Sequence, residues 1–514
     1  VSKQLYKSTA IVGSMTMISR VMGFIRDMLV ANLFGVNADT DAFFVAFRIP
    51  NLLRRLFTEG AFAHAFVPVL AEYSGQGERS ALRGFIDRTF GTLAGLLFLM
   101  TLLGTMAAPL LILLVAPGFV ADHAHFVPAA EMLRITLPYL FFISLVAFAG
   151  AILNAESRFA VPALTPVILN LVMIAAAVWL APHLERPITA LAWGVFAAGI
   201  MQLLFQIPSL WRIGLMPRPR WAYRDPGVQR VVKLMLPAIF GVSVAQINML
   251  VGTLIASFLA AGSVSWLYYS DRLVEFPLGI LGVALSTVIL PNLSKNHIAA
   301  DRAAFSAALD WGLKLVVLIG VPATLGLTQL AEPLLSTLFQ YHEFGVEDVH
   351  MTGRSLAAYA LGLLALMLIK ILVPGFTARL DTRSPVRFGM SAVAANGVLN
   401  LLLVPFLAHA GVALAATLAA YLNAGLLLNA LLRNGTYRPR PGWLAFAARI
   451  VIASATMSGF LIYFVQPEVW FSWGAGQRGL QLGAAVGGAI AVYAAVLLIC
   501  GLRPRDLSFS VAPS

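Results

Sequence analysis

The stretch Ser19-Arg20-Val21-Met22-Gly23-Phe24-Ile25-Arg26-Asp27-Met28-Leu29-Val30 is apolar enough to enter a bilayer and too charged to face lipid on every side. A charged side chain at the centre of a bilayer helix costs ~2.5–3.5 kcal/mol on insertion scales, and more by simulation. The next apolar segment repeats the pattern: Phe47-Arg48-Ile49-Pro50-Asn51-Leu52-Leu53-Arg54-Arg55-Leu56-Phe57-Thr58-Glu59. A chain that carries several such charges is expected to line a polar cavity with them. An arginine-rich cavity inside a membrane suits an anionic guest.

Working outward, the whole chain reads as membrane-spanning. Of 514 residues, 60% are hydrophobic and 11% charged, and the mean hydropathy is +0.85. Soluble domains run at roughly 25% charged and 45–50% apolar. Apolar runs long enough to cross a bilayer, ~20 residues, recur from end to end. The expected fold class is therefore an all-α integral membrane protein. A β-barrel is excluded, because its strands would be short and alternating. Arg20, Arg26 and Asp27 interrupt what would be the apolar core of a cleavable signal, so the first segment is expected to remain as a helix. Cys500 is the single cysteine, so there is no disulfide framework.

Length and apolarity give about 14 spans. Their centres fall near Met22, Phe57, Leu99, Phe142, Leu171, Ala197, Leu250, Leu281, Val321, Leu364, Leu399, Ala420, Ser454 and Ala489. Alternate loops differ in charge. One set holds Arg79, Arg83 and Arg88; Arg212 to Lys233; Arg379, Arg383 and Arg387; and Arg433, Arg438 and Arg440. The other, including Gly35 to Thr40, Pro117 to Phe126, Ala260 to Ser263 and His409 to Val412, is nearly bare. This bias accounts for the net charge of +12 without a nucleic-acid partner. It predicts that both termini are cytoplasmic, as an even span count requires.

The polar, proline-rich stretch from Arg212 to Lys233 divides the chain after the sixth span, and its charge also suits anionic lipid headgroups. The expected division is 1–213 for a first six-helix lobe, 214–226 for a cytoplasmic linker, 227–435 for a second six-helix lobe, and 436–514 for two further helices. A weak internal repeat supports it. Arg48 precedes Pro68 as Arg272 precedes Pro291, with spacings that match within one residue, and aromatics precede both arginines. Lobes of six spans enter from the same side, which predicts parallel repeats with a site near mid-membrane.

Helical spacing sorts the charges. Arg20 and Asp27, seven apart, share a face. Arg55 and Glu59 are spaced i,i+4 and can pair; Arg272 reaches Glu275 at i+3, and Asp271 reaches it at i+4. Buried ion pairs that lock helices, or snorkelling side chains, are the competing account. Snorkelling suits Arg48, near a span boundary. Arg20, Arg26, Arg54 and Arg272 fit a cavity better, because cations outnumber nearby carboxylates. A planar, permanently charged guanidinium suits phosphate. Gly91-xxx-Gly95 and Gly483-xxx-Gly487 are expected helix-packing faces. His123 and His125 have no third ligand nearby in sequence, so no metal site and no cofactor is expected. Asn154, Asn170, Asn248, Asn396 and Asn423 could bond between helices or line the cavity.

The run Thr40-Asp41-Ala42-Phe43-Phe44-Val45-Ala46-Phe47-Arg48-Ile49-Pro50-Asn51-Leu52-Leu53-Arg54-Arg55, then Glu59-Gly60-Ala61-Phe62, resembles the MurJ (MviN) family of bacterial lipid II flippases. So do Ser265-Trp266-Leu267-Tyr268-Tyr269-Ser270-Asp271-Arg272-Leu273 and Glu275-Phe276-Pro277. The resemblance covers essentially the whole chain. It implies the fold of the multidrug/oligosaccharidyl-lipid/polysaccharide (MOP) exporter superfamily: two six-helix lobes in a V, plus two C-terminal helices with a groove for a polyprenyl tail. The implied substrate is lipid II, undecaprenyl-diphosphate carrying MurNAc-pentapeptide-GlcNAc, moved from the cytoplasmic to the periplasmic leaflet by alternating access. Functional positions carried over are Arg20, Arg26, Asp27, Arg54 and Arg272, with Asp41, Glu59, Ser265 and Asp271 carried less firmly. The implied setting is the bacterial inner membrane, with membrane lipids and cell-wall synthesis enzymes as partners and a monomeric state. Alternatives are a cation-coupled drug exporter or another polyprenyl-linked oligosaccharide exporter of that superfamily, a membrane glycosyltransferase, and a non-transporting scaffold. The excess of arginines disfavours the drug exporter, and the short loops disfavour the glycosyltransferase.

Overall fold

The computed structural model describes residues 2–55, 62–75, 77–298 and 301–503. Every regular element among them is a helix. In chain order they are α1 (Ser2–Phe34), α2 (Ala38–Arg54), α3 (Phe62–Gly75), α4 (Arg79–Met106), α5 (Ala108–Val115), α6 (His123–Thr136), α7 (Tyr139–Ala155), α8 (Ala160–Ala175), α9 (Thr189–Arg212) and α10 (Pro226–Ala256). There follow α11 (Ser263–Ile298), α12 (Arg302–Gln329), α13 (Ala331–Leu338), α14 (Val346–Ala360), α15 (Leu363–Thr377), α16 (Arg383–Arg433), α17 (Trp443–Phe464), α18 (Pro467–Trp470) and α19 (Ala475–Ile499).

The chain is an all-α integral membrane protein. Among the described residues, nine helical stretches are long and apolar enough to cross a bilayer. They contain ten of the expected span centres, because Arg383–Arg433 holds two. Ala408 breaks that stretch with φ 48° and ψ −130°, next to the charge-poor segment that begins at His409. The first, seventh and eighth expected centres fall in α1, α10 and α11. α1 and α11 carry several charged residues each, which lowers their mean hydropathy without shortening them. The centre near Phe57 lies outside the described residues.

Polar residues set the helix starts. Asn37 and Thr40 form a reciprocal cap on α2, with Thr40 N–H donating to Asn37 Oδ1 at 3.0 Å and Asn37 N–H to Thr40 Oγ1 at 2.8 Å. Asp122, Asp225 and Asp301 accept first-turn amides of α6, α10 and α12.

Packing divides the chain into two units, Val1–Ser265 and Trp266–Ser514. In the first, aromatics from α3, α4 and α7 form the core: Phe66 packs on Phe148 at 4.9 Å and on Phe85 at 5.7 Å, and Tyr73 stacks on Phe85 at 4.5 Å. In the second, α17 and α19 pack on each other and on α12 through Leu318, Phe446, Ile450, Ala453 and Leu497. The unit boundary therefore lies some forty residues beyond the polar stretch at 214–226. α10 packs with α3, α4 and α5 of the first unit. Ion pairs of Arg230 with Glu72 (2.5 Å) and Arg88 with Asp225 tie its start there.

The two glycine pairs differ. Gly91 and Gly95 of α4 are tightly covered, by residues 220 and 221 of the polar stretch rather than by another helix. Among the described residues nothing lies within 4 Å of a Cβ built on Gly483 or Gly487 of α19, and it is Gly488 that meets Phe460 closely.

Candidate functional site

In the first unit the charges of α1 meet α8. Arg26 and Asp27 are both buried, at 5% and 3% exposure. The Arg26 guanidinium folds back on its neighbour: Nε and Nη2 donate to Asp27 Oδ1 at 3.0 and 2.6 Å. Its Nη1 reaches Asn170 Oδ1 of α8 at 3.1 Å, and Asn170 Nδ2 donates to the Ser19 carbonyl at 3.1 Å. Asn170 is therefore the bracket that holds α1 against α8. Of the five asparagines noted in the sequence, Asn170 holds a site arginine.

Spacing places Arg20 and Asp27 on one face, about two turns apart, and names no partner for Asp27. The structure pairs it with Arg26, because a long guanidinium can fold back on the adjacent carboxylate. Arg20 is half-buried and has no hydrogen bond or ion pair among the described residues. It sits about two turns from the Arg26–Asp27 pair, so a cation is left over.

At the C-terminal end of α2, Arg54 Nε and Nη2 donate to Asn51 Oδ1 at 3.1 and 2.9 Å. Arg48 does not simply snorkel: its Nη1 donates to Thr253 Oγ1 of α10. Glu59 lies outside the described residues, and with it the Arg55–Glu59 pairing.

At the other end of α2, Asp41 is buried at 1% exposure and accepts three hydrogen bonds. Gly262 N–H donates to its Oδ2 at 2.7 Å; Ser265 N–H and Oγ–H donate to its Oδ1 at 2.8 and 2.5 Å. The Gly262 amide immediately precedes α11 and the Ser265 amide lies in its first turn, where no intrahelical acceptor exists. Asp41 thus caps a helix that begins more than 220 residues later, and its charge complements that helix terminus. His125 lies beside it, with Nε2 at 3.9 Å from Asp41 Oδ2 and Nδ1 at 2.7 Å from Asp122 Oδ2. Asp122, on the surface, is held below the usual carboxylate range by the Ala124 amide and by His125. Sequence spacing gave Asp41 no partner, since its partners come from the far end of the unit.

In the second unit α11 buries Tyr269 and Ser270. Tyr269 packs on Phe339 and Phe344 at 5.4 and 5.7 Å, and Ser270 Oγ meets Ser355 Oγ at 2.7 Å. That packing leaves Asp271 exposed and Arg272 half-buried. Arg272 Nη1 pairs with Glu275 Oε2 at 2.9 Å, as the i+3 spacing predicts, and its guanidinium lies 5.2 Å from the Tyr268 ring centroid. Lys370 is exposed. Among the described residues no three His, Cys, Asp or Glu side chains converge as a metal site.

These features define a class: a polytopic helical membrane protein whose helices α1, α2 and α11 carry arginines. Comparison with known proteins narrows it. The family profile described as "Lipid II flippase MurJ" matches residues 30–476. The chain is 48% identical to the "Probable lipid II flippase MurJ" of Vibrio cholerae serotype O1, over 99% of this chain and 98% of that one. It is 44% identical to the "Lipid II flippase MurJ" of Burkholderia cenocepacia, over 89% of each. A solved structure, "Lipid II flippase MurJ, inward closed conformation", superposes with a TM-score of 0.80 at 27% identity, covering 97% of this chain and 99% of that one. An inward-facing MATE-family multidrug resistance transporter of the MOP superfamily shares the fold, with a TM-score of 0.66 at 13% identity over 83% of this chain and 98% of its own. The chain belongs to the MurJ lipid II flippase family.

Proposed function

We propose that this protein translocates lipid II across the bacterial inner membrane, from the cytoplasmic to the periplasmic leaflet, by alternating access. Fourteen spans, cytoplasmic termini and a monomeric working unit complete the proposal. Family membership along nearly the whole chain is the observation that carries the substrate. The local chemistry is consistent with it. A diphosphate needs cations that remain charged in a low-dielectric setting, and arginine meets that need with a bidentate fork.

In this proposal Arg20, Arg26, Arg54 and Arg272 take the diphosphate during the cycle. Arg20, without a protein partner among the described residues, is the first to engage. Arg26 is held in position by Asp27 and Asn170, and Asp27 keeps it neutralised when no guest is bound. Arg54 and Arg272 exchange their contacts with Asn51 and Glu275 for phosphate oxygens. Asp271 and Glu59 serve as alternate carboxylate partners. Asp41 and Ser265 act at a distance from the guest, by fixing the start of α11. No covalent step is required, so the protein acts as a carrier rather than an enzyme. A moving charge couples to membrane potential at ~2.3 kcal/mol per charge per 100 mV.

Reconstitution in liposomes with labelled lipid II tests this reading. The expected result is outward exposure of lipid II that depends on the protein and changes when the potential is switched on and off. Transport of a cationic drug without movement of lipid II would instead favour a drug exporter, whose relatives share this fold.

A further inference from the structure

Two segments of like composition follow α9 and α16: Pro217-Arg218-Pro219-Arg220-Trp221 and Arg438-Pro439-Arg440-Pro441-Gly442-Trp443. Each is strapped across a helix of its own unit by an aspartate at the same place in that helix. Asp87 stands eight residues after Arg79 in α4, and Asp310 eight residues after Arg302 in α12. In the first unit Arg218 N–H donates to Asp87 Oδ1 at 2.8 Å, and Arg220 N–H to the Asp87 carbonyl at 3.2 Å. Ala222 N–H donates to Thr92 Oγ1 at 3.1 Å. The strap lies so close that a Cβ on Gly91 would overlap the Arg220 backbone, and one on Gly95 would stand 2.6 Å from the Trp221 ring. In the second unit Asp310 Oδ1 accepts from Arg440 N–H at 3.2 Å, Tyr437 Oη–H at 2.9 Å and Trp443 Nε1–H at 2.7 Å. Arg438 N–H donates to Ser306 Oγ at 2.9 Å.

All four arginines are held by their main chain. Any residue other than proline supplies the N–H that the strap uses, so the docking gives no reason for arginine. The side chains of Arg218, Arg220, Arg438 and Arg440 are exposed and make no hydrogen bond or ion pair among the described residues. The proline between each pair restricts the backbone, which lowers the cost of holding two guanidiniums outward.

The straps also cross their helices where charge gives way to apolar surface. In α4 every charged residue lies between Arg79 and Arg88, and none follows to Met106. Arg218 and Arg220 sit at the level of Asp87 and Gly91, and Trp221 at the level of Gly95. Trp221 is 64% exposed, close in sequence level to Phe98 at 61%. In α12 the last charges are Asp310 and Lys314, and Leu444, next to the second strap, is 88% exposed. Arginines over the charged half with an indole toward the apolar half match the layering of a membrane interface.

We propose that each strap is a binding site for the phosphate headgroup of an anionic phospholipid, with Arg218 and Arg220 on one unit, Arg438 and Arg440 on the other, and Trp221 seated beside the acyl chains. A basic loop that serves only to orient the chain during insertion would need its charge then and would bind no particular lipid afterwards. The test is native mass spectrometry of the full chain in neutral detergent, titrated with phosphatidylglycerol or phosphatidylcholine. Phosphatidylglycerol is expected to bind at least tenfold better. Replacing Arg218, Arg220, Arg438 and Arg440 together by Gln is expected to weaken it by about 30-fold per strap, at ~1 kcal/mol for each arginine near an anionic surface. Hydrogen exchange at the amides of residues 218, 220 and 440 should stay slow in that variant, because those bonds are made by backbone. Equal binding of the two lipids, or full phosphatidylglycerol binding by the Gln variant, would overturn the proposal. If the Gln variant loosens the straps, the Arg→Lys variant decides. Retained lipid preference supports the site, and its loss overturns it.

Discussion

Replacing Asp41 by alanine should release the first turn of α11. The amides of Gly262 and Ser265 have no helical acceptor of their own, and Asp41 supplies both. Hydrogen bonds to a charged group contribute about 1.5–3 kcal/mol each, and leaving a buried donor unpaired costs about 1–3 kcal/mol. Three bonds end at this carboxylate, but the Ser265 hydroxyl can rotate and water can enter from the loop, so the net loss is roughly 3 kcal/mol. At ~1.4 kcal/mol per tenfold, amide exchange at Gly262 and Ser265 should accelerate by roughly 100-fold. Asn in place of Asp gives a sharper test. Its single oxygen can keep the Oδ1 bonds to Ser265, while the amide NH2 that replaces Oδ2 faces the Gly262 N–H. Gly262 should then exchange about tenfold faster while Ser265 stays protected. Hydrogen-exchange mass spectrometry with fragmentation, on the protein in detergent or nanodiscs, resolves the two sites. Unchanged exchange at both residues in Asp41→Ala would refute the capping role.

Arg26→Ala leaves Asp27 buried without its guanidinium and should destabilise the protein by about 3–5 kcal/mol, read as a lowered thermal midpoint. Asn170→Ala removes the bracket but not the charge pair, and should lower the midpoint less. Gly91→Leu should lift the first strap from α4, exposing Arg220 and Arg224 to faster tryptic cleavage than in the parent. The Tyr437 phenol is pushed well above its usual range by burial, with the Asp310 carboxylate adding to the effect. A group whose folded pKa is raised stabilises fully below its unfolded value and loses that contribution as pH rises, so the loss begins near pH 10. Tyr437→Phe should flatten the alkaline limb of the stability curve above that pH.

Much of the fold was legible because bilayer thickness imposes a length on apolar runs, and the runs around Leu99, Phe142, Leu171, Ala197 and Val321 meet it. The bare segment from His409 marked the break at Ala408 inside an otherwise continuous helix. Arg272 found Glu275 as spacing predicted, since both lie on one helix. Partners from other helices were not legible. Nothing in the sequence tells that Asn170 meets Arg26, or that Asp41 meets Gly262 and Ser265, because helix packing decides both. Shared-face spacing of Arg20 and Asp27 did not reveal the Asp27 partner either: rotamer freedom lets Arg26 reach the adjacent carboxylate. Gly91 and Gly95 showed that something approaches closely, but not that an extended strap does so.

The proposed function has cations of α1 and α2 carry the lipid-linked diphosphate. The most direct test is the rate of labelled lipid II translocation in liposomes by the parent protein and by Arg20→Ala and Arg54→Ala. Neither variant removes a partner from the Arg26–Asp27 pair, so both should reconstitute at parental levels. Each variant is expected to lose most of its translocation while the protein stays folded. Parental rates in both variants, at equal protein density, would contradict it.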